Sequence, residues 1–314
     1  MKKPLIILTG PTAVGKTKLS IALAKAVNGE IISADSMQVY KYMDIGTAKI
    51  MPDEMDGVPH HLVDVLSPMD NFNIVLFQQM AKKAMEEIYV KGKIPVLVGG
   101  TGFYIQAVLY DIDFTESEED SPYREELWTL ARTEGEETLH NMLKECDPKA
   151  AEEIHMNNVK RVIRALEFYK TTGMKISEHN EEQRQKESPY EFLYIVLNQD
   201  RDVLYERIEK RIDIMVEQGL IEEVEKLKSI GCHKDMVSMK GLGYKEILAY
   251  LEGETTLEEA IDILKRDTRR FAKRQLTWFR REKEPVWIDK GQYESEELIL
   301  EEILRLLKEK NIIS

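Results

Sequence analysis

The run Gly10-Pro11-Thr12-Ala13-Val14-Gly15-Lys16-Thr17 fits G-x-x-x-x-G-K-[ST], the spacing of a phosphate-binding loop. No other feature constrains the fold as tightly. Such a loop needs a buried strand before it and a helix after it. Pro4 to Leu8 reads as the strand, and Lys18 to Asn28 reads as the helix, with Leu19, Ala22, Leu23, Ala26 and Val27 at helical spacing. Glycines let backbone N–H groups converge on a phosphate, the helix N-terminus adds positive potential, and Lys16 adds a full charge. Thr17 stands where such a loop offers a hydroxyl to Mg²⁺. The loop specifies phosphate as ligand and leaves the reaction open.

Composition narrows the class. The chain has 314 residues, 43% hydrophobic and 32% charged, as expected for a globular protein of one large or two modest domains. No run of about 18 apolar residues exists, so no membrane span is expected. A core strand this near the N-terminus leaves no room for a secretory signal. Cys146 and Cys232 lack metal-ligand spacing, which points to a reduced, cytoplasmic protein without structural zinc. The net charge of −13 argues against nucleic acid as a partner. Its distribution argues the other way: Lys265 to Lys283 holds nine Lys/Arg (265, 266, 269, 270, 273, 274, 280, 281 and 283) against Asp267 and Glu282. This run is either a phosphate-binding stripe or a solvated helix face.

Residues 1–111 alternate strand and helix, with strands at 4–8, 30–33 and 94–98 and helices at 17–28 and about 74–91. That alternation predicts a parallel sheet. An acidic loop of Glu116, Glu118, Glu119 and Asp120 then leads into purely helical patterning, with segments at 122–134, 136–145, 147–154, 158–171 and 176–187. Phe192 to Leu197 reads as a strand, followed by helices at about 201–229, 243–252, 255–280 and 294–310. A lone strand needs an existing sheet to join. The expected architecture is therefore α/β: a three-layer phosphate-loop core with a parallel sheet from 1–111 and 190–314, interrupted by an all-helical insertion at 112–189. Two consecutive domains split near 112 are the alternative.

In open α/β sheets, ligands bind beyond the carboxyl ends of the strands. Three segments sit at such ends: the phosphate loop, Ser33 to Gln38, and Gly99 to Tyr104. Asp35 in the second reads as a general base, a magnesium ligand or a helix cap. Thr101 in the third lies in a glycine-flanked turn, where the backbone either approaches a ligand or merely turns. Nucleotide-hydrolysing relatives of this loop hold Mg²⁺ through an acid ending a buried strand. Here strand 94–98 ends in Gly99-Gly100, and Asp64 is a poor substitute. Triphosphate hydrolysis is not expected.

These residues resemble the bacterial tRNA dimethylallyltransferases. The likeness is carried by residues 10–17, Ile32 to Tyr40, Asp44 to Lys49, Gly99 to Tyr104, Asn158 to Glu167, Arg207 to Arg211, Gly243 to Glu246 and Arg274 to Arg280, and spans about residues 4–281. It implies transfer of a dimethylallyl group from its diphosphate to N6 of adenine 37 in tRNA, beside the anticodon, with release of diphosphate and with Mg²⁺ as cofactor. It implies that Gly10, Pro11, Thr12, Ala13, Val14, Gly15, Lys16, Thr17 and Arg211 hold the diphosphate, although Arg211 alone reads equally well as a surface helix charge. Asp35 would take the N6 proton, and Thr101 would hydrogen-bond the bridging oxygen of the leaving group. Asp35, Ser36, Met37, Gln38 and Thr101 would meet the target nucleotide. Arg124, Val159, Lys160, Arg161, Val162 and Ile163 would touch the anticodon stem-loop from the insertion. The expected partners are thus tRNA and dimethylallyl diphosphate, with no membrane, acting on a monomer. Eukaryotic members append a zinc-finger-like segment, and this chain ends without a Cys/His cluster.

Three rivals share some of these features. A small-molecule kinase needs neither the basic run nor the large insertion. An isopentenyltransferase acting on free AMP or ADP lacks use for RNA-facing segments. A non-catalytic RNA-binding module leaves Asp35 and Thr101 unexplained.

Overall fold

The structure, a computed structural model, describes residues 2–114 and 121–313. The acidic loop at 116–120 lies outside the described residues. The chain divides into two compact units, Met1–Leu109 with Pro189–Ser314, and Tyr110–Ser188.

The larger unit is built on a six-stranded sheet. Its N-terminal elements are β1 (Lys3–Thr9), α1 (Lys16–Ala26), β2 (Gly29–Ser33), β3 (His60–His61), α2 (Ile74–Val90), β4 (Ile94–Gly99) and α3 (Gly102–Leu109). The smaller unit is all helical: α4 (Pro122–Thr133), α5 (Glu136–Cys146), α6 (Pro148–Glu153), α7 (Val159–Thr172) and α8 (Ile176–Gln185). The larger unit then resumes with β5 (Tyr190–Asn198), α9 (Arg201–Glu217), α10 (Leu220–Ser229), α11 (Tyr244–Leu251), α12 (Leu257–Phe279), β6 (Val286–Asp289) and α13 (Glu296–Glu309).

All pairings are parallel, in the order β3-β2-β4-β1-β5-β6. Leu5, Ile6, Ile7, Leu8, Ile31, Ile32, Val96 and Leu97 are almost completely buried. Strands buried this uniformly are covered on both faces, which is why they read as apolar runs. The register sets Thr9 beside Gly99 and Ser33 beside Val98. The loops leaving β2, β4 and β1 therefore emerge side by side at one edge.

One expectation needs correction, and three elements, α3, β6 and β3, were not anticipated. The continuous helix expected over 201–229 is two helices, because Gly219 adopts φ +101°, a left-handed conformation that ends one helix and caps the next. The Gly99–Tyr104 segment is a turn only as far as Thr101, and α3 follows at once. The tail beyond 284 adds β6 to the sheet edge beside β5. His60–His61 forms a short strand beside β2, with His61 Nε2 and Glu30 Oε2 2.8 Å apart. Both missed strands are too short to show a period.

The smaller unit has its own core of Leu127, Leu139, Leu143, Val162, Ile163 and Leu166. Polar groups hold its helix ends. Asp147 Oδ1 accepts from Ala150 N at 3.0 Å and from Ser177 Oγ at 2.6 Å, while Oδ2 accepts from Ser177 N at 2.9 Å. Among the described residues, no helix is long and apolar enough to cross a membrane.

Candidate active site

A cavity of about 330 Å³ opens at the carboxyl edge of the sheet, within the size range of small-ligand sites. Its wall includes Thr12, Ala13, Asp35, Ser36, Met37, Thr101 and Arg211. The rest comes from the Gly46–Ala48 turn, α9, the segment 240–243 before α11, α11 and α12, including Lys240, Lys245, Phe271 and Arg274.

The phosphate loop leads into α1 through Gly15, and no side chain caps the helix. Its first-turn amides are therefore left to an anion. Lys16 Nζ folds back onto the loop, donating to Gly10 O at 2.8 Å and Pro11 O at 2.9 Å. Burial pulls its ammonium down to about 7, and the neighbouring Arg211 guanidinium pulls the same way against the Asp35 carboxylate. Burial also lowers Arg211. Neither cation has a carboxylate ion pair among the described residues. Two close, unneutralised cations at a helix N-terminus constitute an anion site.

The Asp35 loop is held by its own hydrogen bonds and by its neighbours. Asp35 Oδ1 accepts from Met37 N at 2.8 Å and Gln38 N at 3.4 Å. Ala34 N donates to Val98 O at 2.7 Å, and Thr101 N donates to Ala34 O at 3.3 Å. A Cβ on Gly99 would lie 2.3 Å from Ala34 O, so only glycine admits this approach. The expected meeting of Asp35 and Thr101 thus arises from backbone seams between adjacent parallel strands. The Thr101 hydroxyl carries no protein hydrogen bond among the described residues.

Several expected contacts are corrected. Gln38 does not line the cavity: Ser33 Oγ donates to its Oε1 at 3.1 Å, and its Nε2 donates to Thr47 O at 3.3 Å. It anchors the loop. Thr12 lines the cavity as expected of a loop residue, with its amide donating to Gln275 Oε1 at 2.9 Å. Val162 and Ile163 face the core of the helical unit at 0% and 2% exposure, which removes both side chains as RNA contacts. Lys160 and Arg161 are exposed. Arg124 is bound to Glu167 through Nε at 2.9 and 3.0 Å and Nη2 at 2.6 Å, so its charge already has a partner.

Two sets of contacts around the site were not expected from the sequence. Glu223 of α10 accepts from the amides of Asp44, Ile45 and Gly46 at 2.8, 2.8 and 3.0 Å, and from the Tyr244 hydroxyl at 2.7 Å. It fixes the turn whose Gly46, Thr47 and Ala48 form the cavity rim. Asp64 serves Lys49, whose buried ammonium also donates to Tyr40 O and Asp44 Oδ1. Glu223 lies far in sequence from the turn it holds, and no local pattern announces these contacts.

The basic run of α12 is partly neutralised. Lys265 pairs with Asp213, Arg269 with Glu209, and both Arg266 and Arg270 with Asp267. Lys273, Arg274, Arg280 and Arg281 have no acid partner among the described residues. Burial pushes the Glu282 carboxyl up to about 7 against the opposing Trp278 hydrogen bond, so it offsets these charges only in part.

A phosphate loop, an unneutralised cation pair and a carboxylate at one sheet edge define a phosphate-loop α/β protein with an anion-binding pocket. The chain belongs to the IPP transferase family, whose model matches residues 38–282, and an isopentenyl transferase model matches residues 3–70. It is similar to the tRNA dimethylallyltransferase of Lachnoclostridium phytofermentans, 63% identical over 99% of both chains. That of Acetivibrio thermocellus is 52% identical over 95% of both. Among solved structures, the full-length tRNA isopentenylpyrophosphate transferase of Bacillus halodurans is 47% identical, with TM-score 0.73 over 99% of this chain and 98% of that one. A eukaryotic dimethylallyltransferase captured acting on tRNA is 33% identical, with TM-score 0.78 over 88% of this chain and 70% of that one.

Proposed function

We propose that the protein transfers a dimethylallyl group from dimethylallyl diphosphate to N6 of adenine 37 in tRNA, releasing diphosphate. The carrying observation is the Lys16–Arg211 cation pair beside the Asp35 carboxylate and the unpartnered Thr101 hydroxyl. The pair supplies charge for a diphosphate, the carboxylate is an acceptor for an amine proton, and the hydroxyl is a donor for a leaving oxygen.

The N6 nitrogen attacks C1 of the dimethylallyl group as the C1–O bond breaks. Electrons of that bond leave with the diphosphate, and the N6 proton passes to Asp35. Thr101 donates to the bridging oxygen as it gains charge, and Lys16, Arg211 and the α1 amides stabilise the departing anion. Ser36 and Met37 line the acceptor side. Exposed Lys160 and Arg161 reach the anticodon stem-loop, and the chain works as a cytoplasmic monomer.

Magnesium fits this donor set in a limited way. Among the described residues, no group of three or more His, Cys, Asp or Glu is arranged to hold a metal. Thr17 is exposed at the start of α1. A hydroxyl plus diphosphate oxygens and waters suits Mg²⁺. When bound, the ion would add positive charge to the leaving group.

The test is incubation with labelled dimethylallyl diphosphate and unmodified tRNA, and separately with free AMP. Label on adenine 37 is the expected result. Label on AMP alone would assign a free-nucleotide enzyme, and no transfer to either would overturn the proposal.

A further inference from the structure

We infer that Gln275 is a positioning residue for this transfer: its side chain straps the phosphate loop to the Thr101 loop and sets the spacing between the two ends of the leaving-group site. The inference rests on the proposed reaction and adds a residue to it.

Gln275 lies in α12 and is 6% exposed. Its Oε1 accepts from Thr12 N at 2.9 Å, and its Nε2 donates to Gly100 O at 2.9 Å. The amide orientation is unambiguous, because the flipped form would set NH₂ against N–H and oxygen against oxygen. Gly100 is shaped to this contact: a Cβ there would lie 2.2 Å from Nε2.

The other seams stop short of this junction. Thr9 Oγ1 donates to Gly99 O at 2.7 Å at the strand ends. Beyond them, β1 and β4 diverge into separate loops, one carrying Lys16 and the other Thr101. Gln275 is the link between Thr12 and Gly100 beyond that point. The bridge needs an acceptor and a donor at one side-chain tip, at glutamine's reach. Asparagine is one methylene short, glutamate lacks the donor, and methionine matches the size without either function. Misplacing a leaving-group donor by about 1 Å costs on the order of 10²-fold in rate.

The test compares the parent with Gln275→Met, Thr101→Ala and the double variant, using labelled dimethylallyl diphosphate and unmodified tRNA in single turnover. Melting curves and tRNA affinity are read alongside. Gln275→Met is expected to slow the chemical step by about 10- to 100-fold, with tRNA affinity unchanged within about twofold. Thr101→Ala should then cost much less than in the parent, because a displaced hydroxyl has little left to lose. A parent-like rate, or fully additive losses with only a lowered melting temperature, would reduce Gln275 to a packing residue and overturn the inference. Should the Met variant melt below the assay temperature, Gln275→Glu enters the same cycle, since it keeps the acceptor for Thr12 and turns the donor to Gly100 into a second, charged acceptor. A parent enzyme that transfers no label to tRNA would sink the reaction itself, an outcome distinct from a strap that fails.

Discussion

At the scale of single residues, the proposed chemistry falls to Asp35, and its surroundings fit that role. One oxygen holds the turn through Met37 and Gln38, while Oδ2 has no protein partner among the described residues. The carboxylate is held in place yet retains an oxygen for substrate. Adenine's amine is a poor nucleophile because its lone pair is delocalised into the ring, so loss of its proton helps bond formation. Asp35→Asn keeps the turn and removes the base. The single-turnover rate with both substrates saturating is expected to fall about 10²- to 10⁴-fold, with both substrates binding within a few-fold of the parent. An unchanged rate would remove Asp35 from the mechanism. Recovery with added Mg²⁺ would instead make it a metal ligand. Residue types alone pointed to Asp35, Thr101 and Lys16. They could not separate Gln38, which anchors a loop, from Met37, which lines the cavity. That distinction depends on where Thr47 and Ser33 lie in space.

Elements were legible in proportion to their length and period. β1 and β4 are near-continuous apolar runs because helices cover both faces, β2 keeps Ile31 and Ile32 between Glu30 and Ser33, and α1 and α2 show clear helical spacing. β3 has two residues and β6 has four, too few for any pattern. Sheet order was equally invisible, since it depends on pairings across the chain. One consequence concerns pH. Burial would push the Glu30 carboxyl of β2 up, but hydrogen bonds from Lys93, Lys91 and His61 overcome it and hold the group at about 2. Glu30 thereby ties β2 to β3 and to the link between α2 and β4. Its folded value lies below the ordinary 4.5, so its contribution is fully present above pH 4.5 and is lost as pH falls toward 2. With the partly exposed lysines screened, the loss is roughly 2–3 kcal/mol. Urea denaturation between pH 7 and pH 3 should show this slope in the parent and a flatter one in Glu30→Gln. Equal slopes would mean that Glu30 contributes nothing there. The basic run of α12 gives a second consequence. With four of its cations in ion pairs, Lys273, Arg274, Arg280 and Arg281 are left, beside Lys160 and Arg161, as the cations the proposed function would set on RNA phosphates. At about 0.7–0.9 per contact, log affinity against log salt should reach a slope of at most roughly −4 to −5. Lys160→Glu with Arg161→Glu should weaken tRNA binding, flatten that slope and leave diphosphate binding intact. A flat parent response would leave these residues as solvated faces.

At the scale of the whole molecule, the chain closes one hydrophobic core, suspends it, builds a second and returns to finish the first. The second unit, Tyr110–Ser188, has a core of leucines, alanines, Val162 and Ile163 from α4, α5, α6 and α7 and its own buried polar ties. A domain with such a core folds independently when its boundaries lie where few contacts cross. Excised residues 110–188 are therefore expected to be helical and to melt cooperatively. Small domains are marginal, with stabilities of about 5 kcal/mol at the low end of the range, so single interactions become decisive. The Arg124–Glu167 pair is the most exacting of these. Glu167 is 4% exposed, and Arg124 supplies three of its hydrogen bonds. Removing one partner of a buried pair leaves an uncompensated charge and costs roughly 3–5 kcal/mol. Arg124→Ala should thus unfold most of the isolated fragment, while Lys160→Ala on its surface should shift the melt little. Circular dichroism melts of the three fragments test this. A non-cooperative parent fragment would show that the second core depends on the first. A stable Arg124→Ala fragment would free the guanidinium from its structural role and return it to the RNA contacts that the sequence suggested.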